Sequence, residues 1–430
     1  MTTILPVAII GGGPSGLAAA AHLVQYQQPF ILFESGPSLG SHFLDYGDVR
    51  LFSTWRYNID AASKKLFEQH GVILPEADKL PYGREIATHY LQPLGALPEL
   101  QPHIHLNSRV IHLQRQGLDK VKTADRDQRP FVLTVENSTG TWQTIQARAV
   151  IDATGTWENP NPVISGGTRD TPADLIDYGI PSILGTDQKH FESKRIAVVG
   201  SGHSAFNSLL DLIQLKEKFP ATDVTWIIRK AAPDETLGGS KADQLAERGA
   251  LGMRIKALLD HGDITVQTST FIQSLTLLDD HQILIGAEQN GHSIELGPFD
   301  RIIANTGSRP TFDYLSEIRY AFDPALESVP ALAPLIDPNI HSCGTVRPHG
   351  ERELRQPEKN FYIIGAKSYG RAPTFLMATG FEQARSVVAH LSGDYEAAGR
   401  VELELPETGV CSSRPLAFTI NGAAPKSRCC

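Results

Sequence analysis

Apolar residues along this chain gather into short unbroken runs that stop on glycine, and helical spacing follows several of them. Val7 to Ile10 is a run suited to a strand buried on both faces; it ends at Gly11, and Leu17 to Val24 then has an alanine-rich helical pattern. The turn between them reads Gly11-Gly12-Gly13-Pro14-Ser15-Gly16, and the next apolar run, Phe30 to Phe33, ends in Glu34. The same grammar returns later. Arg195 to Val199 precedes Gly200-Ser201-Gly202-His203-Ser204-Ala205 and an amphipathic stretch from Phe206 to Leu215, while the following strand, Val224 to Ile228, ends in Arg229-Lys230.

Three more runs close on glycine. Val150 to Asp152 leads into Ala153-Thr154-Gly155, Phe299 to Pro310 contains Asn305-Thr306-Gly307, and Phe361 to Ile364 leads into Gly365. A last helix is predicted from Phe375–Gly380 through Leu391. Between these landmarks Pro81 to Leu94 reads as a helix, and Ile104 to Leu113 with Phe131 to Asn137 as strands of a small antiparallel meander. Asp263 to Thr276 and His281 to Glu288 read as further strands. The order predicts an α/β protein with two Rossmann-like dinucleotide-binding domains, the second inserted in the first. The expected division is 1–165 for the first domain, 166–300 for the insertion, 301–393 for the return, and 394–430 for a polar, flexible tail.

A strand, glycine turn and helix with this spacing builds a phosphate site. Gly11 permits the turn, Gly13 lets backbone approach a pyrophosphate, and Gly16 lets the helix pack close to the strand, so the free N–H groups of the helix that opens at Pro14-Ser15 face the anion. Glu34 stands where a carboxylate bonds the ribose hydroxyls of an adenine nucleotide. At the second turn, Gly200, Gly202, His203, Ser204 and Ala205 repeat the design without the acid. Arg229 and Lys230 in its place suit a 2′-phosphate, and so NADPH over NADH. His203 is either a cofactor or substrate contact or a structural residue at the helix start. Trp55, Arg56 and Tyr57, in the irregular segment after Glu34, are read either as wall residues of the first cofactor or as plain packing. Thr154, Gly155, Gly365, Thr379 and Gly380 are candidates for close backbone approach to the first cofactor.

Size and charge narrow the class. A chain of 430 residues exceeds the usual span of one core, and its net charge of −9 argues against a general nucleic-acid or anionic-membrane binder. Ile4 to Val24 carries no formal charge with His22 neutral, yet its glycine cluster and lack of a basic leader argue against a signal or membrane segment. No other run has membrane length, which makes the cytoplasm the expected location. The four cysteines, Cys343, Cys411, Cys429 and Cys430, are too few and too C-terminal for a disulfide framework.

The succession of Gly11–Gly16, Glu34, Ala153–Gly155, Gly200–Ala205, Asn305–Gly307 and a final strand–glycine–helix resembles the flavoproteins with two dinucleotide-binding domains. Within them it is most similar to the flavin-containing and Baeyer–Villiger monooxygenases, over residues 1 to about 393. The resemblance implies FAD on the first turn and NADPH on the second. It also implies O2 as co-substrate and a C4a-hydroperoxyflavin that oxygenates a soft nitrogen, sulfur or metalloid centre of a small molecule. Those enzymes carry FxGxxxHxxxY/F before the second turn; Tyr178-Gly179-Ile180 to His190-Phe191 does not match that spacing. Lys367, Tyr369 and Arg371, in the last glycine loop, are candidate contacts near the flavin ring.

Two alternatives stay open at this point. Disulfide reductases of the superfamily need two thiols beside the flavin, and neither nucleotide domain has a Cys pair. Cys429-Cys430 resembles the C-terminal pair of mercuric reductases, with Cys343 as an inner soft-metal thiol, so a reductase or oxidase acting on thiols or a thiophilic metal is the competing enzyme reading. A flavoprotein that binds nucleotide and a partner protein without turnover is the competing reading of another class.

Overall fold

The computed structural model describes residues 4–167, 172–237, 246–340, 349–373 and 375–403. Two parallel sheets form its framework, and both are built from the apolar runs that end on glycine.

In the first, β1 (Val7–Ile10) is fully buried and continues through the glycine turn into helix α1 (Pro14–Gln25), then β2 (Phe30–Phe33). A two-residue strand β3 (Ile104–His105) pairs with β2, and the meander β4 (Ser108–Arg115), β5 (Phe131–Asn137) and β6 (Trp142–Ala147) folds off as its own antiparallel sheet. The sequence pattern had Ile104 to Leu113 as one strand. Asn107 breaks it with φ +50°, which sends β3 to the parallel sheet and β4 to the meander. The chain then returns to the middle of the first sheet as β7 (Ala149–Asp152), which pairs in parallel with β1.

The second sheet begins with β8 (Ile176–Tyr178). β9 (Arg195–Val199), helix α2 (His203–Lys218), β10 (Asp223–Ile227), helix α3 (Ala246–His261) and β11 (Thr265–Gln267) follow. β12 (Thr270–Leu277), β13 (Ile283–Gln289) and β14 (His292–Phe299) make a second antiparallel sheet, and β15 (Arg301–Ala304) closes the parallel one in the order β11-β10-β9-β15-β8. Ser269, at φ +50°, is the bend that divides the expected strand Asp263–Thr276 between the two sheets.

The chain finally comes back to the first sheet as β16 (Phe361–Ile363), giving the order β16-β7-β1-β2-β3, and ends in helix α4 (Met377–Leu391). This is the nested arrangement of a doubly crossed, two-domain α/β fold. Past Asp394 the chain is helical again at Tyr395–Gly399, capped by the Asp394 side chain, where the pattern predicted an irregular tail.

Each domain has its own core. One joins β1, β2, β7 and β16 to α1 and α4; another packs α2 and α3 on β9 and β10 around Trp226 and Phe206. Burying one large side chain of this kind contributes roughly 1.5–3 kcal/mol. A buried ion cluster ties the meander to the return segment: Arg115 Nε reaches Glu358 Oε1 at 2.8 Å and Arg126 Nη2 reaches Glu358 Oε2 at 2.8 Å. Burial works against the Glu358 carboxylate, but the two guanidinium groups and the Arg319 N–H hold its pKa below the ordinary range. Among the described residues no helix is long and apolar enough to cross a membrane.

Candidate functional site

The ends of β1, β2, β7 and β16 surround a cavity of about 420 Å³. It runs from Glu34, Ser35 and Arg109 at one end, past Gly11, Gly13, Thr154 and Gly155, to Gly365, Phe375 and Met377 at the other. This is where ligands bind in open α/β sheets, outside the carboxyl ends of the strands.

The glycines of the first turn differ in what surrounds them. Gly11 has φ +106°, and a side chain there would meet the Ala153 carbonyl oxygen at 2.6 Å, so strand β7 demands glycine. Gly16 sits against the Gly11 carbonyl, which brings α1 onto β1. Gly13 has no protein atom within 4 Å of where a Cβ would lie. It faces the cavity. Pro14 opens α1 without losing a bond, because the first-turn N–H groups have no intrahelical partner.

A second helix end joins the first. Leu376 and Met377, at the start of α4, also line the cavity, and α4 packs along α1. Each helix N-terminus acts as about half a positive charge, so the pair favours a polyanion between them. Ser15 is wedged where side chains on Gly365 or Gly380 would lie, and both glycines are required by that close approach. Thr379 is buried one turn into α4. Gly365 does not offer its N–H to the cavity, because Gln383 Oε1 accepts it at 2.7 Å.

Glu34 is buried, and its carboxylate accepts from Gly12 N at 2.7 Å and Gly36 N at 2.6 Å. These bonds lock the glycine turn to the end of β2 and leave the carboxylate at the cavity wall. Trp55, Arg56 and Tyr57 are elsewhere. Trp55 is buried in the first core, the Arg56 guanidinium pairs with exposed Asp78 at 2.7 Å, and none of the three lines the cavity. The wall is made by Leu51, Phe52 and Ser53. The aromatic cluster marked the right segment, but the short helix Trp55–Asn58 turns Trp55 inward.

The last glycine loop holds the feature least expected. Lys367 is buried rather than facing the cavity, and its ammonium has three acceptors: Asp152 Oδ2 at 2.7 Å, Tyr314 OH at 2.9 Å and Thr154 Oγ1 at 3.1 Å. Tyr314 OH donates to Asp152 Oδ2 and Thr154 Oγ1 donates to Asp152 Oδ1. Burial lowers the Lys367 pKa against the pull of Asp152, and burial together with the Asp152 carboxylate raises Tyr314 well above the usual phenol range. Thr154 and Tyr314 line the cavity, so the cation lies one hydrogen bond behind its wall. An aspartate ending the apolar run Val150–Ile151 and a lysine in an apolar glycine loop were the signals in the sequence; their pairing was not.

Tyr369 is buried with its ring against Phe375, centroids 5.3 Å apart, and burial raises its phenol pKa against the opposing effect of the Thr379 side chain. Arg371 is exposed and donates to Asn161 Oδ1 at 2.9 Å. It braces the passage between domains.

At the second turn Gly200 has φ +134° and packs on the Asn305 carbonyl, and Gly202, like Gly13, has open space where a side chain would project. His203 begins α2, followed by Ser204 and buried Ala205, and its ring lies 5.1 Å from Phe52 of the first cavity. Arg229 is exposed; Lys230 donates to the Glu235 carbonyl at 2.6 Å. Cys343, Cys411, Cys429 and Cys430 lie outside the described residues. Among the described residues no group of three or more His, Cys, Asp or Glu side chains is placed to hold a metal ion.

The family described as pyridine nucleotide-disulphide oxidoreductase matches residues 8–335 of the chain. Among curated relatives, Monooxygenase cfoE of Aspergillus candidus is 26% identical over 257 residues, 56% of this chain and 39% of that protein. The chain spans about two fifths of the length of the curated relatives it matches. Bacillithiol disulfide reductase Bdr (YpdA) from Bacillus cereus superposes with a TM-score of 0.66 at 17% identity, covering 91% of this chain and 99% of that one. DfoA bound to FAD, the cadaverine monooxygenase of desferrioxamine biosynthesis from Erwinia amylovora, gives a TM-score of 0.65 at 14% identity, covering 97% and 100%.

Proposed function

Since the chain belongs to the pyridine nucleotide-disulphide oxidoreductase family, we propose that it is an FAD- and NADPH-dependent monooxygenase that oxygenates a soft heteroatom of a small molecule. The observation that carries this reading is a pair of glycine turns, each with its second glycine, Gly13 or Gly202, open to a ligand, and no cysteine in the first 342 residues. Two nucleotides without a thiol relay fit electron transfer to O2 better than to a disulfide. A reducing cytoplasm is the location that four scattered cysteines fit.

FAD is assigned to the cavity. Gly13, Pro14 and Ser15, with Met377 of α4, cradle its pyrophosphate; Glu34 takes the adenosine ribose; Thr154, Gly155, Gly365, Thr379 and Gly380 shape the wall along the flavin. NADPH is assigned to Gly200–Ala205, with Arg229 and Lys230 for the 2′-phosphate. FAD held there would supply hydride acceptance from NADPH and two-electron reduction of O2, so that NADPH, a proton, O2 and substrate would give NADP+, oxygenated substrate and water. The chain's own part is placement and exclusion of water: Phe52, Phe375 and Leu376 supply an apolar wall, and His203 against Phe52 brings the second turn to the cavity's rim.

The test is turnover with NADPH and isotopically labelled O2 over a panel of amines, sulfides and arsenite. A product carrying one labelled oxygen is expected, formed in step with NADPH loss. NADPH consumption that gives only hydrogen peroxide, or only reduced thiols, overturns the proposal.

A further inference from the structure

We propose that the buried Lys367–Asp152 pair is an electrostatic positioning device that sets the redox poise of the flavin. The proposal rests on the assignment of FAD to the cavity. Its basis is the closed ring of bonds: Lys367 spends its donors on Asp152, Thr154 and Tyr314, and Asp152 accepts from Lys367, Thr154 and Tyr314. Both charges have a side chain that is 0% exposed, so neither is screened by solvent.

Structure alone does not require charge here. An apolar pair of similar volume would fill the space, often at equal or better stability. What the ion pair adds is a fixed cation and a fixed anion, each bonded to the same two groups of the cavity wall, Thr154 and Tyr314. The Lys367 ammonium bonds directly to the two wall groups, Thr154 Oγ1 at 3.1 Å and Tyr314 OH at 2.9 Å, so its field reaches the cavity across one hydrogen bond in a weakly screened interior. Asp152 offsets most of that field. Reduction adds electron density to the flavin, so the cation favours the reduced cofactor and the anion opposes it. The two residues therefore act with opposite signs.

The measurement is the two-electron potential of the bound flavin in the full chain, titrated anaerobically at one fixed pH for all variants. Lys367→Met is expected to lower the ratio of reduced to oxidised flavin affinity at least tenfold, a fall of about 30 mV for a two-electron couple. Asp152→Asn is expected to raise the ratio at least tenfold. The double variant returns within threefold of the parent. Should Lys367→Met not fold, Asp152→Asn decides alone, because loss of packing gives no reason for a rise. Unchanged ratios, or shifts of the same sign in both single variants, overturn the proposal. A parent protein that binds no FAD refutes the assignment of the cavity instead, so the two failures are distinguishable.

Discussion

Replacing Gly13 and Gly16 by alanine, one at a time, separates ligand approach from fold packing inside a single turn. Gly13 is the N-cap of α1, with extended backbone at φ −84° and ψ −174°, and its added methyl touches no protein atom within 4 Å. Alanine at an N-cap costs about 1 kcal/mol. For a unit of 150–250 residues that lowers Tm by about 2–4 °C. The methyl nevertheless occupies open space at the cavity wall, where the pyrophosphate is assigned. Loss of two bonds from backbone N–H to a charged acceptor, at about 1.5–3 kcal/mol each, weakens FAD by roughly a hundredfold to ten-thousandfold. At Gly16 the methyl lands on the Gly11 carbonyl, and α1 must lift off β1. Overpacking of this kind costs about 1–3 kcal/mol or more, and the better helix propensity of alanine returns about 1. Thermal unfolding of flavin-stripped protein and an FAD titration by fluorescence read the two effects separately. The reasoning fails if Gly13→Ala binds FAD like the parent.

Arg229→Ala should raise the KM for NADPH about tenfold and leave that for NADH unchanged, as steady-state kinetics with both would show; equal effects on the two would remove the 2′-phosphate role. Asp211 on α2 has its pKa pushed up to about 6 by burial, against the pull of Arg254 on α3. A raised acid pKa means the folded state holds the proton more tightly, so its stabilising contribution is full below the ordinary aspartate pKa and is lost as pH rises through about 6. Asp211→Asn should accordingly gain stability above pH 6, by at most about 3 kcal/mol, with no gain near pH 4 in thermal melts across that range. Glu358→Gln leaves Arg115 and Arg126 buried without their carboxylate and should cost about 3–5 kcal/mol by denaturant unfolding, while the folded fraction keeps parental FAD affinity.

The parallel sheets were legible because their strands are buried on both faces and read as continuous apolar runs. Val7–Ile10, Ala149–Asp152 and Arg195–Val199 needed no partner to be recognised. β14 was missed for the opposite reason. His292–Phe299 lies largely on the surface, with only Phe299 buried, and its mixture of polar residues carries no strong period. The tight turn at Gly11 and the helix packing at Gly16 were legible from the glycine spacing, although what enforces Gly11 is the Ala153 carbonyl, 142 positions further along the chain. The cavity wall was not. Whether Phe52 or Trp55 faces a ligand depends on the turn of a four-residue helix, and that is set by packing against the first core. Lys367 and Asp152 are 215 positions apart, and only the return of the chain as β16 beside β7 brings them together.

The two linker triplets explain why cofactor cavity and domain passage are one structure. In the first sheet β7 ends beside β1, so that the Ala153 carbonyl lies on Gly11; in the second, β15 ends beside β9, so that the Asn305 carbonyl lies on Gly200. Each triplet therefore enforces the glycine that begins the neighbouring nucleotide turn. From there both leave their sheets and cross together. Asn161 N donates to the Gly307 carbonyl at 2.9 Å, Arg309 N to the Asn159 carbonyl at 2.9 Å, and Thr156 Oγ1 meets Ser308 Oγ at 2.9 Å. Arg371 adds a bond to the Asn161 side chain from the last glycine loop. Thr154 thus belongs at once to the cavity wall, to the ring around Lys367, and to the first step of the crossing. The charge pair, the cavity wall and the passage between domains therefore meet at one residue, Thr154, and a substitution there touches all three.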